Sequence, residues 1–138
     1  MPVTAHHVGI TVSSLEEVLP FYRDVLGLDV ITRFSVSGEA FATGVGVENA
    51  TGSFAHLDGD GTRIELVEYD PEGADIEEPS LNRPGAIHLG LDVDDIDAFY
   101  EALPEDVETI SEPQTTESGT RICFLRDPEK NLVEVLEQ

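Results

Sequence analysis

The stretch HVGITV at residues 7–12 decides the fold, because it returns as HLGLDV at residues 88–93. Both copies place a histidine first, a glycine third and a valine sixth, with apolar residues at the second and fourth positions. A second shared stretch follows much later in each half, as IELVE at residues 64–68 and VEVLE at residues 133–137. The chain is therefore predicted to be a duplicated module.

The glutamates of the second stretch differ in what their positions predict. Glu65 and Glu134 each interrupt an apolar strand on a face that is expected to be half-buried, where an unpaired carboxylate is costly. An ion pair with Arg63, two residues away on the same face, is the alternative explanation for Glu65. Glu68 and Glu137 lie three residues further on, which turns them to the opposite face, and they are expected in solvent.

Hydrophobic periodicity predicts the order strand, helix, strand, strand, strand in each half. In the first half the predicted segments are a strand at residues 7–12, a helix from the capping box at residues 14–17 to Gly27, and strands at residues 28–36, 53–57 and 63–69. In the second half they are a strand at residues 86–93, a short helix capped by Asp94 and Asp95, strands at residues 107–110, 121–125 and 132–136, and a turn at residues 127–131. Pro20 is expected to kink the first helix, and the glycine-rich residues 38–52 are predicted to form a mobile loop.

The length and the proline content predict how the chain is organised. A chain of 138 residues can bury one substantial core, and residues 70–84 have the composition of a linker. We therefore predict a single α+β domain, with module one at about residues 1–70, a linker at about 71–84 and module two at about 85–138.

The charge of the chain is strongly one-sided. It carries 29 acidic against seven basic residues, a formal net charge of −22, and Lys130 is its one lysine. Molar salt shortens the Debye length to about 3 Å and screens such repulsion. Acidic residues spread along the whole chain favour a halophilic source, with an ordinary acidic protein as the alternative. Because no basic patch can hold phosphates, nucleic acid and anionic membranes are not expected as partners.

Other features bear on location and on excluded chemistries. No apolar run approaches membrane-spanning length, and the first residues lack the layout of a signal peptide. The single Cys123, in an apolar stretch, is expected to be a core residue without a disulfide partner. We therefore expect a cytoplasmic protein. Neither a phosphate-binding glycine loop nor a serine-nucleophile elbow occurs in the sequence.

Two histidines and two glutamates form the candidate site. A single histidine on a strand is more often structural than a ligand, and His6 could face inward in place of His7. His56, a lone histidine, is expected to be incidental, with a position lining the cleft as the alternative. The matched set is more informative than any member of it, and it consists of His7, Glu65, His88 and Glu134. Two imidazoles and two carboxylates suit one divalent ion such as Zn²⁺, Ni²⁺, Co²⁺ or Mn²⁺. Two further positions of an octahedral shell would remain for neighbouring oxygens of a small-molecule substrate.

Longer stretches around these residues carry a resemblance to a known family. They are residues 7–12 with 21–28, residues 85–96 and residues 124–134. These stretches resemble the vicinal oxygen chelate superfamily, which includes glyoxalase I, methylmalonyl-CoA epimerase, fosfomycin- and bleomycin-resistance proteins and extradiol dioxygenases. The likeness covers nearly the whole chain.

The resemblance implies two tandem βαβββ modules that form an open, barrel-like cleft around a metal ion. His7, Glu65, His88 and Glu134 match by position the ligands of glyoxalases and epimerases. The full set argues against the metal-free bleomycin-binding members. Extradiol dioxygenases and fosfomycin-resistance enzymes fit less well, because both use three ligands. A homodimer is also implied, with its metal site formed within one subunit or between two.

The resemblance further implies proton transfer next to a carbonyl group. A glyoxalase I-like lyase or isomerase, acting through an enediolate on a hemithioacetal of a 2-oxoaldehyde and a low-molecular-weight thiol, is the first hypothesis. Glu134 would move the proton, with Glu65 as the second candidate. Methylmalonyl-CoA epimerase comes second, because residues 53–57 lack the additional acid of that enzyme. A non-catalytic binding or resistance protein on the same scaffold is the alternative from another class.

Overall fold

The structure is a computed structural model that describes residues 2–75 and 77–138. The chain divides into two compact units, Met1–Asp75 and Ile76–Gln138. The predicted linker contains this division, and its residue Ile76 lies outside the described residues. Of the linker positions that are described, 71–75 and 77–84, none belongs to a helix or a strand.

Within residues 2–75, unit one forms a four-stranded sheet. Its strands are β1 (His7–Thr11), β2 (Val30–Val36), β3 (Thr51–Asp58) and β4 (Arg63–Asp70). They lie in the order β1-β4-β3-β2, with β1 parallel to β4 and the other neighbours antiparallel. A parallel neighbour of β1 requires a long crossover, which the helix and the strands between β1 and β4 provide.

The helix after β1 starts as the capping box predicts. In α1 (Leu15–Pro20), Ser14 is the N-cap, and its hydroxyl accepts a hydrogen bond of 3.3 Å from the backbone N–H of Glu17. Pro20 does more than kink the helix, since the α-helix ends there and a π-helical turn, Phe21–Val25, continues it. A proline has no N–H to donate and its ring crowds the preceding turn, which favours the wider spacing.

The predicted loop at residues 38–52 is wrong in part, because it contains the helix α2 (Glu39–Val45). Gly44 lies inside this helix, and two further glycines bound it: Gly38 precedes it, and Gly46 ends it in the left-handed conformation, at φ 71°. The ring of Phe41 lies 6.1 Å from that of Phe54 on β3, which anchors the helix to the sheet. A high glycine content was therefore a poor indicator of a loop.

Within residues 77–138, unit two repeats the arrangement with a five-stranded sheet. Its strands are β5 (Leu89–Asp92), β6 (Glu108–Thr109), β7 (Gln114–Thr115), β8 (Arg121–Arg126) and β9 (Leu132–Glu137). They lie in the order β5-β9-β8-β6, with β5 parallel to β9 and β7 also paired to β8. The two-residue β7 is too short to leave a pattern in the sequence, and it was not predicted.

The first strand of unit two is shorter than predicted. Residues 86–93 were expected to be extended, but pairing with β9 starts at Leu89 opposite Val133. The chain enters β9 at Leu132 directly from the turn at residues 127–131, so the ladder cannot extend back as far as residue 86. His88 consequently lies immediately before β5 and not within it.

The helix and the closing turn of unit two follow their predicted caps. In α3 (Ile96–Glu101), the Asp95 carboxylate accepts a hydrogen bond of 3.0 Å from the N–H of Ala98. The buried carboxylate of Asp127 accepts hydrogen bonds of 2.8 and 2.9 Å from the backbone N–H groups of Glu129 and Asn131. These contacts close the turn between β8 and β9.

The α+β class and the two tandem βαβββ modules are confirmed. In each unit the helix that follows the first strand packs against the sheet: α1 contacts β3 and β4, and α3 contacts β8 and β9. The opposite face of each sheet carries the candidate site residues. No helix in the described part of the chain is long and apolar enough to cross a membrane.

Candidate active site

Both units repeat one pairing around their histidine and glutamate. On the parallel strands of unit one, Gly9 lies opposite Glu65. On those of unit two, Gly90 lies opposite Glu134. Each glycine follows its histidine by two residues. The duplicated sequence pattern thus reproduces one register of strand pairing.

The structure brings the four predicted site residues together as two pairs. His7 Nε2 lies 3.5 Å from Glu65 Oε2, and His88 Nε2 lies 3.4 Å from Glu134 Oε1. The histidine side chains are 39% exposed in both pairs, and the glutamate side chains are 13% and 20% exposed. His6 contacts the far side of the His7 ring, through Nδ1 atoms that are 2.8 Å apart. His7 is therefore the histidine that faces Glu65.

These pairs are the candidate metal ligands that the structure assembles. Across residues 2–75 and 77–138, no group of three or more His, Cys, Asp or Glu side chains is arranged to hold a metal ion. Metal–ligand bonds of about 2.0–2.2 Å put neighbouring ligand atoms roughly 3.0–3.5 Å apart. The nitrogen-to-oxygen distances of 3.5 and 3.4 Å fall in this range, so the donors of each pair fit a divalent ion.

The repeated glycines make room for the carboxylates. A Cβ atom at Gly9 would come within 3.2 Å of Glu65 Oε2, closer than an ordinary contact. At Gly90 the corresponding distance to Glu134 Oε1 is 3.8 Å, which is an ordinary van der Waals contact. A side chain at Gly9 would therefore crowd the Glu65 carboxylate, whereas one at Gly90 would be accommodated beside Glu134.

His56 belongs to the candidate site, although it was expected to be incidental. It lies opposite Glu65 on β3, it is buried, and its Nε2 atom is 2.8 Å from Glu65 Oε1. Its other ring nitrogen, Nδ1, lies 3.2 Å from the guanidinium of Arg63. Counting back across the predicted hairpin would have paired His56 with Glu65, so the signal was present in the turn at residues 59–62.

Unit two has a phenyl ring where unit one has this imidazole. Phe124 lies opposite Glu134 on β8, and its ring is 5.2 Å from that of His88 in an edge-to-face arrangement. Two residues before each glutamate, unit one has Arg63 and unit two has Leu132. The two glutamates therefore occupy chemically different surroundings.

An aromatic cluster extends the candidate site on the sheet of unit one. Phe34 stacks on Phe54 with ring centroids 4.9 Å apart, and it contacts His56 edge-on at 5.2 Å. Phe41 stacks on Tyr69 at 6.3 Å. Because Phe34 is 39% exposed, this cluster can contact an apolar part of a ligand.

The other glutamates of the repeat have a structural role that was not predicted. Glu68 and Glu137 do lie on the opposite face of the sheet, but they are half-buried and not simply in solvent. Their carboxylates accept hydrogen bonds from the backbone N–H groups of Leu15 and Ile96, respectively. Each of them caps the first turn of the helix in its own unit.

The basic residues show how charge is distributed. Six of the seven form ion pairs with carboxylates: Arg23, Arg33, Arg83, Arg121, Arg126 and Lys130. These contacts include Arg121 with Asp97, whose pKa the guanidinium lowers through a side-chain hydrogen bond. Arg63 instead contacts His56 in the candidate site. One of the seven basic residues of the chain therefore lies beside the candidate site.

Cys123 is a core residue, as predicted. It is buried on β8, and its thiol donates a hydrogen bond of 3.4 Å to the carbonyl of Ser111. Burial raises the pKa of the Cys123 thiol, which lowers the fraction of reactive thiolate. A nucleophilic role is therefore disfavoured.

The sequence is similar to known proteins over most of its length. The sequence profile of the Glyoxalase/Bleomycin resistance protein/Dioxygenase superfamily matches residues 4–135. A 2-epi-5-epi-valiolone epimerase from Actinomyces sp. is 29% identical over 123 residues, which cover 85% of this chain and 67% of that protein.

Solved structures show the same fold. A glyoxalase family protein from Bacillus cereus superimposes with a TM-score of 0.87 at 26% identity, covering 99% of this chain and 95% of the other. A glyoxylase/bleomycin resistance protein/dioxygenase domain from Frankia sp. EAN1pec superimposes with a TM-score of 0.69 at 23% identity, covering 99% and 93%. At that lower identity the likeness concerns the fold alone.

Proposed function

The chain belongs to the Glyoxalase/Bleomycin resistance protein/Dioxygenase superfamily, and from this premise we propose that it is a metal-dependent enzyme that moves a proton at a carbon next to a carbonyl group. The first candidate reaction is glyoxalase I-like conversion of a hemithioacetal of a 2-oxoaldehyde. The observation that carries the proposal is the histidine–glutamate pair, which recurs in the same strand register in both units.

The donor set is the reason for proposing a metal. His7 with Glu65 and His88 with Glu134 offer two neutral imidazole nitrogens and two carboxylates, a mixed set that suits Zn²⁺, Ni²⁺, Co²⁺ or Mn²⁺. We propose that both pairs bind one divalent ion per chain. Bound there, the ion would polarise a substrate carbonyl and stabilise the negative charge that develops on its oxygen.

Residues of the chain supply the base, a second carboxylate and an apolar surface for the substrate. Glu134 takes the proton from carbon, because its carboxylate faces the phenyl ring of Phe124, which cannot hydrogen bond to it. Glu65 is the second carboxylate, and it is the candidate for proton transfer on the other face of the substrate. The aromatic cluster at Phe34 and Phe54 would pack against an apolar part of the substrate and exclude water from it.

Metal content and hydrogen exchange together test the proposal. The purified protein is stripped with a chelator, reloaded with each of the four ions, and its bound metal is measured. It is then incubated in D₂O with methylglyoxal and glutathione or another thiol, and proton NMR follows the loss of the carbon-bound hydrogen. We expect about one ion per chain and a metal-dependent exchange that Glu134→Gln abolishes. Stoichiometric metal with neither thioester product nor exchange, with glutathione or the other thiol, would refute the proposed glyoxalase I-like reaction.

Epimerisation is the second candidate, and the similarity to a 2-epi-5-epi-valiolone epimerase favours it. An epimerase needs a proton donor and a proton acceptor, and the two units each supply a carboxylate. The strand that lacks an acid carries His56 in its place, hydrogen bonded to Glu65. The same exchange assay with 2-epi-5-epi-valiolone and with methylmalonyl-CoA distinguishes this reaction from the first.

A non-catalytic binding protein on the same scaffold is the alternative from another class. Such a protein has no need for both histidine–glutamate pairs, so tight stoichiometric metal binding would argue against it. We further propose that the chain forms a homodimer, as members of the superfamily often do. Light scattering of the eluting peak in size-exclusion chromatography at molar KCl tests this directly.

A further inference from the structure

His56 lies between the carboxylate of Glu65 and the guanidinium of Arg63. Its side chain is 6% exposed, and both of its ring nitrogens are within hydrogen-bonding distance of a neighbour. Nε2 lies 2.8 Å from Glu65 Oε1, and Nδ1 lies 3.2 Å from Nη1 of Arg63. A buried imidazole with one carboxylate and one guanidinium is held on both sides.

These two partners select one tautomer of the ring. A guanidinium only donates hydrogen bonds, so Nδ1 of His56 has to accept from Arg63 and carries no proton. Nε2 then carries the proton and donates it to the Glu65 carboxylate, which only accepts. This tautomer satisfies both contacts at once.

The contact with His56 leaves the two oxygens of Glu65 in different situations. Oε1 is held by the Nε2–H group of His56, while Oε2 faces His7 at 3.5 Å. The lack of a side chain at Gly9 leaves room for the Oε2 atom, since an added Cβ would lie 3.2 Å from it. Oε1 is thus held by His56 on β3, and Oε2 is the oxygen that remains available to a metal ion.

Unit two lacks this arrangement at the equivalent positions. Phe124 replaces the imidazole opposite the glutamate, and Leu132 stands where unit one has its arginine. Neither side chain can hydrogen bond to Glu134. The asymmetry arises at two positions around a repeated histidine–glutamate pair.

We propose that His56, held in its Nε2–H tautomer by Arg63, is a positioning residue that anchors Glu65 as the stationary carboxylate of the site. Glu134, which faces phenylalanine instead, is then the carboxylate that can move towards substrate and take its proton. The statement about Glu134 rests on the proposed function, whereas the anchoring of Glu65 does not.

The tautomer is tested in the metal-free protein, without any assay of activity. Long-range ¹H–¹⁵N NMR separates protonated from unprotonated ring nitrogens, and the chain has four histidines, so that loss of a signal in His56→Gln assigns it. We expect Nε2 of His56 to be protonated and Nδ1 to be unprotonated, and Arg63→Leu to mix the two tautomers. A dominant Nδ1–H tautomer or a doubly protonated ring would overturn the proposal.

Matched variants test the anchoring through metal affinity. His56→Phe copies unit two, whereas His56→Gln retains an N–H donor that can reach Glu65. We expect His56→Phe to weaken binding of Zn²⁺ in calorimetry by about 10–100-fold, the usual effect of losing a partner of a metal ligand, and His56→Gln to restore most of it. Equal losses in both variants, or no loss in His56→Phe, would contradict the anchoring role.

The reciprocal substitution in unit two tests the proposed role of Glu134, which depends on the reaction. Phe124→His places a donor opposite Glu134, and we expect it to lower kcat while Zn²⁺ binding is retained. An unchanged kcat would contradict the proposal that Glu134 has to move in order to take the proton. If His56→Phe does not fold, as judged by circular dichroism, Arg63→Leu and His56→Gln still test the anchoring. Absence of all activity in the wild-type protein would refute the proposed function and leave the NMR result on His56 intact.

Discussion

The carboxylate of Glu68 accepts a hydrogen bond from the backbone N–H of Leu15, with the oxygen and nitrogen 2.8 Å apart. Glu137 makes the same contact with the N–H of Ile96 at 2.9 Å. In both units, a glutamate on the last strand thereby caps the helix that follows the first strand. The repeated glutamates have separate tasks: one of each unit faces the candidate site, and the other joins the sheet to its helix.

Removing either capping carboxylate is expected to destabilise the fold. Glu68→Gln and Glu137→Gln should each lower the free energy of unfolding by about 1 kcal/mol, because an amide keeps an acceptor but loses the favourable interaction of a negative charge with the helix N-terminus. Urea unfolding at constant KCl measures the change. Glu117→Gln, on an exposed turn, is the control for the removal of one negative charge. Equal stability of all three variants would contradict the capping role.

The two repeated glycines are expected to respond differently to the same substitution. Gly9→Ala places a methyl group 3.2 Å from Glu65 Oε2, and the hydrogen bond to His56 limits how far that carboxylate can retreat. Gly90→Ala meets Glu134 at 3.8 Å and should be accommodated. We expect Gly9→Ala to weaken metal binding several-fold more than Gly90→Ala, measured by titration with Zn²⁺. A larger loss in Gly90→Ala would refute this explanation of the glycines.

The sequence predicted those features that leave a local or a repeated pattern. Alternation in residues 7–12 and the capping box at Ser14 led to the right elements. The duplication singled out His7, Glu65, His88 and Glu134 as candidate site residues, and the binding of one metal ion by all four stays a prediction. Each of these depends on spacing along the chain, which the sequence displays.

Features that depend on contacts between strands were missed. The site role of His56 was missed because a lone histidine is more often structural than a ligand, and its partner Glu65, nine residues away, is found only by fixing the hairpin register. The capping role of Glu68 was missed because its partner Leu15 lies 53 residues away in the chain. The sequence shows which face a strand residue takes, but not what the neighbouring element places there.

The single thiol offers a probe of the folded state of unit two. Burial raises the pKa of Cys123, so at pH 8 the folded protein should hold less thiolate than an exposed cysteine does. We expect slow alkylation by iodoacetamide in the native state and rapid, complete alkylation in urea, followed by mass spectrometry. Rapid alkylation of the native protein would mean that β8 opens readily or that the thiol is not buried.

Salt should stabilise the protein. With 29 acidic against seven basic residues, unfolding relieves repulsion at low ionic strength, and molar salt screens that repulsion. We expect the melting temperature to rise as KCl increases from millimolar to molar concentration. A flat or falling melting temperature in KCl would contradict the prediction of a halophilic protein.

Substitutions at Glu134 separate metal binding from proton transfer. A glutamine side chain has an oxygen that can coordinate weakly, but it cannot take a proton, whereas alanine can do neither. Glu134→Gln should therefore retain more bound metal than Glu134→Ala while losing most of the turnover and of the hydrogen exchange in D₂O. Glu137→Gln, three residues along the same strand and on its opposite face, is the matched control and should keep both metal and activity. If Glu134→Gln binds metal and turns over at nearly the wild-type rate, the base lies elsewhere, and Glu65→Gln becomes the variant that decides.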